Sequence, residues 1–320
     1  MHIITLVERQ GRTIRDVRAA AERLGVALTV VRWSDLSASV RPGDSRIRAG
    51  EVVLNDADAV LLRTMKAGTS EQIFFRMDVL HRLEASGLVV INPPRAIEIS
   101  CDKYLSLALL SAAGLPTPET FACQKFGDAM HAFEVLGGDV VVKPLFGAEG
   151  FGITRISDPA LAQRAFNQLE RSGSVAYVQR FIPHHNRDHR LFVLGDRVLA
   201  TMTRHGLDWR SNIALGGRGE TAPMPAYARK KPEVEPGDEP GDEPGVGPGA
   251  MAELALRAAR ACGARIAGID ILVAEDGQPF VLEVNAIPGW KELAAVSNVD
   301  VAQHVLAYVA AEAEKRHVHA

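Results

Sequence analysis

The stretch GIDILVAEDGQPFVLEVNAIPG, residues 268–289, is where the reading of this chain turns. Two apolar runs flank Asp276–Gly277, a pair that tolerates the positive φ of a tight hairpin turn. With that pair as a two-residue turn, Val273 faces Phe280, Ile271 faces Leu282 and Ile269 faces Val284, which makes one apolar face for a core. The other face carries Asp270 directly across from Glu283. Asn285 follows on the same side, because strand side chains alternate. Strand interiors are poor in Asp, Asn and Glu, and like charges facing each other across a strand pair repel. Two readings account for the pattern. One is the polar side of an edge hairpin turned to solvent. The other is a hard, oxygen-only site for Mg²⁺ or Mn²⁺, in which a cation reverses the repulsion.

Outward from the hairpin, the first hundred residues alternate strand and helix. HIITLV (2–7), VALTVVRW (26–33), DAVLLR (58–63) and GLVVINPP (87–94) read as strands. Ile14, Val17, Ala21 and Leu24 recur at helical spacing, as do Ile73, Phe74, Met77, Leu80 and Leu83 in a helix over 70–86. This rhythm predicts a small parallel sheet with helices on its faces. Residues 95–113 read as a further helical unit stopped by Gly114 with Pro116 and Pro118 beyond. From 119 to 182 the order is strand, helix, strand, glycine loop, strand, helix, strand. A hairpin (190–204), a helix near 250–262 and the 268–285 hairpin complete the chain. RKKPEVEPGDEPGDEPGVGPG (229–249) has almost nothing to bury and reads as a disordered insert.

The 320-residue chain has a net charge of −3 and only three cysteines, widely spaced. No basic block points to nucleic acid. No zinc spacing occurs, and the cysteine usage suits a reducing cytoplasm. MHIITLVERQ lacks the features of a signal peptide, and no apolar run is long enough to predict a membrane span.

VVVKPLFGAEGFGI (140–153) places Lys143 before Gly147, Gly150 and Gly152. Glycines let backbone N–H groups approach phosphate oxygens. A strand follows rather than a helix, so neither a P-loop nor a dinucleotide-binding fingerprint fits. A phosphate-covering flap and a plain glycine turn with a structural lysine both remain open at this point.

Taken together, several segments resemble the ATP-grasp superfamily, most closely its RimK-like branch of glutamate-adding ligases. They are NPPRAIEISCDKYLSLALLSAAGLPTP (92–118), VVKPLFGAEGFGI (141–153), VQRFI (178–182), RDHRLFVLGDRVLA (187–200), WRSN (209–212), GIDIL and LEVNAIPG. The resemblance covers about residues 60–305. It implies an α/β (α+β) ATP-grasp fold with an N-terminal parallel pre-ATP-grasp subdomain. The expected division is 1–95, then 96–185 with the glycine flap, then 186–320 with the metal site.

The resemblance also implies roles. Lys103 and Lys143 contact ATP, with Gly147, Glu149 and Gly150 in the flap. Gln179, Arg180, Phe181 and Ile182 form the adenine hinge, and Asp188 holds the ribose end or the hinge. Arg210, Ser211 and Asn212 contact the nucleotide and the phosphoryl group. Asp270, Glu283 and Asn285 hold two Mg²⁺ (or Mn²⁺) ions. Lys143, Arg210 and Asn285 are the catalytic candidates, and no general base is identifiable. Arg190, Arg204, Pro288 and Gly289 face the substrate. Arg63 reads either as a substrate contact or as an exposed residue after a strand. Two departures stand out: Arg180 occupies a hinge position that is often acidic, and the 229–249 insert is longer than the pattern has there.

The implied activity is ATP-dependent ligation of L-glutamate to an unidentified carboxylate acceptor through an acyl-phosphate. The acceptor is a pterin-type coenzyme or a protein or carrier. Another ATP-grasp ligase, of the glutathione-synthetase or dipeptide-ligase kind, and a non-catalytic ATP-binding regulator are the alternatives. A homo-oligomeric state stays open.

Overall fold

A computed structural model of the chain describes residues 1–8, 11–65, 67–147, 151–211, 216–222 and 247–319. Glu149, Gly150, Asn212 and all of the acidic insert except 247–249 lie outside these residues.

The first sheet is parallel, as the apolar runs predict. Strand β1 (His2–Val7) leads through helix α1 (Arg12–Leu24) to β2 (Ala27–Arg32). A three-stranded antiparallel meander follows, made of β3 (Leu36–Ser39), β4 (Arg46–Ala49) and β5 (Val52–Val53). Then come β6 (Ala59–Leu62), α2 (Ser70–Ala85) and β7 (Val89–Ile91). The order is β2-β1-β6-β7. The chain leaves β1 for one side and later returns to pair β6 on the other. The carboxyl ends of β1 and β6 therefore flank a topological switch point, where open α/β sheets keep their ligand crevice.

On α2, Met77, Leu80 and Leu83 are buried, but Phe74 is 69 % exposed. The inward face runs instead through Val79 and Arg76, whose guanidinium lies 6.0 Å from the Trp33 ring.

The helical unit at 95–113 is two helices, α3 (Pro94–Cys101) and α4 (Lys103–Ala112). Asp102 is extended (φ −97, ψ 106), and its carboxylate accepts from the Tyr104 and Leu105 amides at 2.9 and 3.0 Å. An N-cap of this kind starts a new helix and breaks the old one.

A second sheet, ordered β10-β9-β11-β8, comprises β8 (Thr120–Cys123), β9 (Val140–Lys143), β10 (Thr154–Ile156) and β11 (Ala176–Arg180). Helices α5 (Phe126–Val135) and α6 (Pro159–Arg171) cover it. It has a core of its own, built on Phe133, Val140, Phe166 and Val178.

The third sheet is antiparallel, ordered β14-β13-β12-β15-β16. Its strands are β12 (Arg187–Leu194), β13 (Arg197–His205), β14 (Arg218–Thr221), β15 (Ile266–Val273) and β16 (Pro279–Asn285). Helix α7 (Pro248–Ala261) precedes β15, and α8 (Lys291–Ser297) and α9 (Val301–His319) end the chain. Two buried clusters join this sheet to the first one: Ile4, Leu6 and Val60 with Ile269, Ile271 and Val284, and Ile3, Val17 and Leu61 with Phe192, Trp290 and Val305. The first and third sheets are thus one packed body, and the second is docked against it with a cleft between. Among the described residues no single helix is long and apolar enough to cross a membrane.

Candidate functional site

The β15–β16 hairpin does not turn as its sequence suggests. Gly277 N–H donates to Ala274 O at 2.9 Å and Ala274 N–H donates to Gln278 O at 2.9 Å, so the loop is the three residues Glu275–Gly277, with Gly277 at φ 86. This is the turn-plus-αL arrangement of three-residue hairpins. It displaces the pairing by one: Val273 meets Pro279, Leu272 meets Phe280 and Ile271 meets Val281. A bulge at Leu282 then restores the expected partners, Asp270 with Glu283 and Ile269 with Val284. Two residues of β16, Leu282 and Glu283, therefore line the cleft in succession while Val281 and Val284 stay in the core.

Asp270 is 5 % exposed and held at both oxygens. Its cross-strand neighbour Arg190 donates Nε to Oδ1 at 2.6 Å and Nη2 to Oδ2 at 2.7 Å. Arg204 lies 2.8 Å from Oδ2 and also forms a fork with its own cross-strand neighbour Asp188. Burial would raise the Asp270 carboxyl, but Arg190 and Arg204 more than offset it and hold the group down to about 2. The four side chains are mutually neutral. Arg190 and Arg204 thus direct their guanidinium groups at aspartates, and Asp188 is buried behind Arg204. Glu283 is different. Among the described residues its half-buried carboxylate has no hydrogen-bond or ion-pair partner, and Lys143 feels its charge without touching it.

Lys143 comes from the second sheet, across the cleft, and Lys103 from helix α4, which packs on β16. Lys143, at the end of β9, donates Nζ to Gln179 Oε1 at 2.6 Å. Gln179 Nε2 donates to Thr120 Oγ1 at 2.9 Å, and Thr120 Oγ1 donates to Pro118 O at 2.9 Å. A chain of three bonds thus fixes the lysine from behind. Burial pushes its ammonium down to about 8, against the upward pull of Glu283. Lys103 opens α4 and donates Nζ to Gly147 O at 2.8 Å, which ties that helix to the start of the glycine loop.

Gln179 to Ile182 run along the cleft mouth. Arg180, the atypical hinge residue, turns away and pairs with Glu119 at 2.6 Å. The Phe181 ring lies under the Arg155 guanidinium at 3.5 Å and edge-on to Trp209 at 6.1 Å. His184 sits between two backbone carbonyls, Ile182 O at 2.7 Å and Trp209 O at 2.9 Å. It thereby joins the hinge to the Trp209–Ser211 segment. Arg210 is held by Asp208 at 2.6 Å, and Ser211 is buried beside it.

Beyond Asn285 the chain is clamped. Asn285 Oδ1 accepts from Ile287 N–H at 2.9 Å. Asn92, 2 % exposed, accepts from the Arg265 and Ile266 amides at 2.8 Å each and donates to the Ile266 and Ala286 carbonyls. Arg63 is not an exposed residue. It is 4 % exposed, its Nη2 donates to Pro288 O at 2.9 Å, and its guanidinium stacks on Trp290 at 3.4 Å. Pro288 is buried and Gly289 is exposed. Asn92, Trp290 and Thr120 were given no role from sequence. For Asn92 the one available signal was an amide at a strand end before two prolines.

The arrangement is a cleft with Lys143 on one wall, an unpaired carboxylate, an amide and an arginine-held aspartate on the other, and Lys103 at the start of the helix that packs on β16. Among the described residues no three His, Cys, Asp or Glu side chains form a metal cluster. Two carboxylates with an amide still offer oxygen donors: three of the four lone-pair positions on Asp270 are taken by arginine, and Glu283 keeps all of its own. That donor set suits a hard divalent ion.

Comparison with known proteins gives a consistent result. A model of the RimK-like ATP-grasp domain matches residues 100–230 and 249–309, and one of the RimK pre-ATP-grasp domain matches residues 1–97. A relative from Methanocaldococcus jannaschii, named tetrahydromethanopterin:alpha-L-glutamate ligase, is 30% identical over 95% of this chain and 96% of its own. A protein of the same name from Methanosarcina acetivorans is 29% identical over 96% and 97%. Among solved structures, a RimK domain ATP-grasp protein from Sphaerobacter thermophilus superposes with TM-score 0.70 at 22% identity, covering 97% of this chain and 99% of that one. The ATP-grasp ligase PsnB, solved with a minimal precursor, Mg and ADP, gives TM-score 0.70 at 19% identity, covering 98% of both chains.

Proposed function

The chain belongs to the RimK-like ATP-grasp family, and we propose that it is an ATP-dependent ligase that joins L-glutamate to a carboxylate acceptor through an acyl-phosphate. The observation that carries this reading is the unpaired Glu283 carboxylate, two residues before Asn285, in one cleft with Lys143 and Lys103. Such a site attracts a cation on one wall and phosphates on the other.

In this reading the backbone of Gln179 to Ile182 receives adenine, with Asp188 near the ribose end. Lys103, Lys143 and the Gly147–Gly150 segment hold the phosphates, and Arg210, Ser211 and Asn212 steady the transferring phosphoryl group. Glu149 belongs to the same flap. Asp270, Glu283 and Asn285 hold Mg²⁺ or Mn²⁺, two ions being the number we propose. When bound, the metal offsets the charge that builds on the phosphoryl group. The acceptor carboxylate attacks the γ-phosphorus, and ADP leaves. The amine of glutamate attacks the acyl carbon, the C–N bond forms and phosphate departs. The amine's proton passes to phosphate or solvent. Arg63, Arg190, Arg204, Pro288 and Gly289 border the substrate end. The division at 95 and 185 into three subdomains is part of the same proposal.

A small pterin-type coenzyme is the acceptor we favour, on the strength of what the archaeal relatives are named for. The test is incubation of cell extract with the protein, Mg-ATP and isotopic glutamate, followed by mass spectrometry. Glutamate-dependent ADP release with a labelled small-molecule product is the expected result. ADP release with a different amino acid would reject glutamate, and a labelled protein would reject the coenzyme.

A further inference from the structure

We propose that Arg63 is the specificity-determining residue that recognises a carboxylate of the incoming amino acid. Three arginines stand at the substrate end, and two are already neutralised. Arg190 and Arg204 are satisfied by Asp270 and Asp188. Among the described residues Arg63 has no carboxylate partner. It is 4 % exposed, one of its donors goes to the Pro288 carbonyl at 2.9 Å, and its Nε–H is buried with no acceptor.

A guanidinium carries five N–H donors. Holding one out of water without a counter-charge costs several kcal/mol unless something compensates. The Trp290 face, 3.4 Å away, supplies part of this through its quadrupole. The remainder is left for a ligand. Burial presses the group down from the usual arginine range to about 9, and no neighbouring carboxylate pulls it back.

The position fits an amino-acid subsite. Arg63 follows β6, at the switch point where the first sheet opens its ligand crevice. Through Pro288 it touches the turn three residues beyond Asn285, so it stands no more than roughly 14 Å from that residue. Gly289 leaves the outer side of this turn open, since a Cβ there would meet nothing within 4 Å. The acceptor's reacting carboxylate must meet the γ-phosphate, on the Glu283–Lys143 side. The anion that reaches Arg63 is therefore one the amino acid keeps after its amine has reacted. A fork-shaped donor set recognises a carboxylate better than any other common group.

This inference rests on the ligase reading, and the experiment separates the two. Binding to the whole chain with Mg²⁺ and ADP is measured calorimetrically for L-glutamate, L-aspartate and L-2-aminoadipate. L-glutamine and L-isoglutamine, each of which lacks one carboxylate, are measured alongside. Wild type should discriminate against one of the two amides. Arg63→Met, which keeps an apolar stem on Trp290, should bind the acidic amino acid about 30-fold more weakly and lose that discrimination, with ADP affinity unchanged. Arg63→Lys keeps the charge, guards against misfolding and should lose about 10-fold. If wild type takes an acidic amino acid other than glutamate and the variants lose it, Arg63 keeps its role and the glutamate reading falls. Retained discrimination in the variants, equal losses for ADP and amino acid, or no acidic amino acid bound by wild type would each overturn the role of Arg63.

Discussion

Asp270 and Glu283 face each other across β15 and β16, and they do so through a bulge at Leu282 that cancels the displacement made by a three-residue turn. The two carboxylates are electrostatically unequal: Asp270 is neutralised by two arginines and Glu283 by nothing in direct contact. Without a metal, Glu283 repels its partner; with one, it is the strongest ligand available. Glu283→Gln should therefore leave the metal-free protein as stable as wild type, or more stable by up to about 1 kcal/mol. It should also abolish the stabilisation that Mg²⁺ confers and lower ADP formation at least about 100-fold. Melting curves with and without Mg²⁺ check the first two, and an ADP assay checks the third. Mg²⁺ stabilisation retained in the variant would remove Glu283 from the metal site.

Lys143 gives a pH prediction whose sign differs for folding and for binding. Its ammonium is held at about 8 by burial, below the usual 10.5. Between those values the unfolded chain binds a proton that the folded chain has lost. Its contribution to stability therefore improves as pH rises from about 8 to 10.5. Phosphate binding needs the charged form and moves the other way. The apparent ATP affinity should fall about 10-fold between pH 7 and pH 9 as the competent fraction of free protein falls. Lys143→Arg stays charged and should flatten that profile, which equilibrium ATP titrations at the two pH values would reveal.

Arg204 is the keystone of the buried charges, shared by Asp188 and Asp270. Arg204→Met strands Asp188, which among the described residues has no other cation in contact, and should cost about 3–5 kcal/mol. Adding Asp188→Leu removes the stranded charge and should recover most of that loss. Urea unfolding of the three proteins forms the cycle, and a double variant no more stable than the single one would contradict the pairing.

How much of this was legible in the sequence differs from residue to residue. The parallel sheet was legible because buried strands read as unbroken apolar runs, and those runs survive as β1, β2, β6 and β7. The Asp270–Glu283 pairing was also read, though from a two-residue turn that the chain does not make. The turn and the bulge are backbone events with compensating offsets, and side-chain pattern carries only their sum. Asp102 shows information that was present: an Asp inside a helical pattern is a cap signal, and a new helix does start there. Arg63 shows information that was absent, since its burial depends on Trp290 and Pro288, more than 200 residues further on. Phe74 fitted the helical spacing, but α2 buries Val79 and Arg76 beside Met77, Leu80 and Leu83, with Arg76 near Trp33 just after β2, and leaves Phe74 outside.

Gly268 tests the packing beneath the substrate turn. It lies opposite Asn285 in the ladder, and a Cβ there would come 3.1 Å from Pro288 Cβ and 3.6 Å from the Arg190 side chain. Neither neighbour has room to retreat. Pro288 is held at its carbonyl by Arg63, and Arg190 is locked in its fork with Asp270. Gly268→Ala should therefore push the 286–289 turn outward rather than settle into the strand. Overpacking of this size costs about 1–3 kcal/mol, partly offset by the lower backbone entropy of alanine in the unfolded chain. The kinetic signature should be selective. The Michaelis constant for the amino acid should rise several-fold, since the displaced turn carries Pro288 and Gly289, while that for ATP should hold steady because Lys143 and the start of the hinge lie on the second sheet. Steady-state kinetics with each substrate varied in turn separates the two, and equal changes in both constants would show that the turn does not border the amino-acid site.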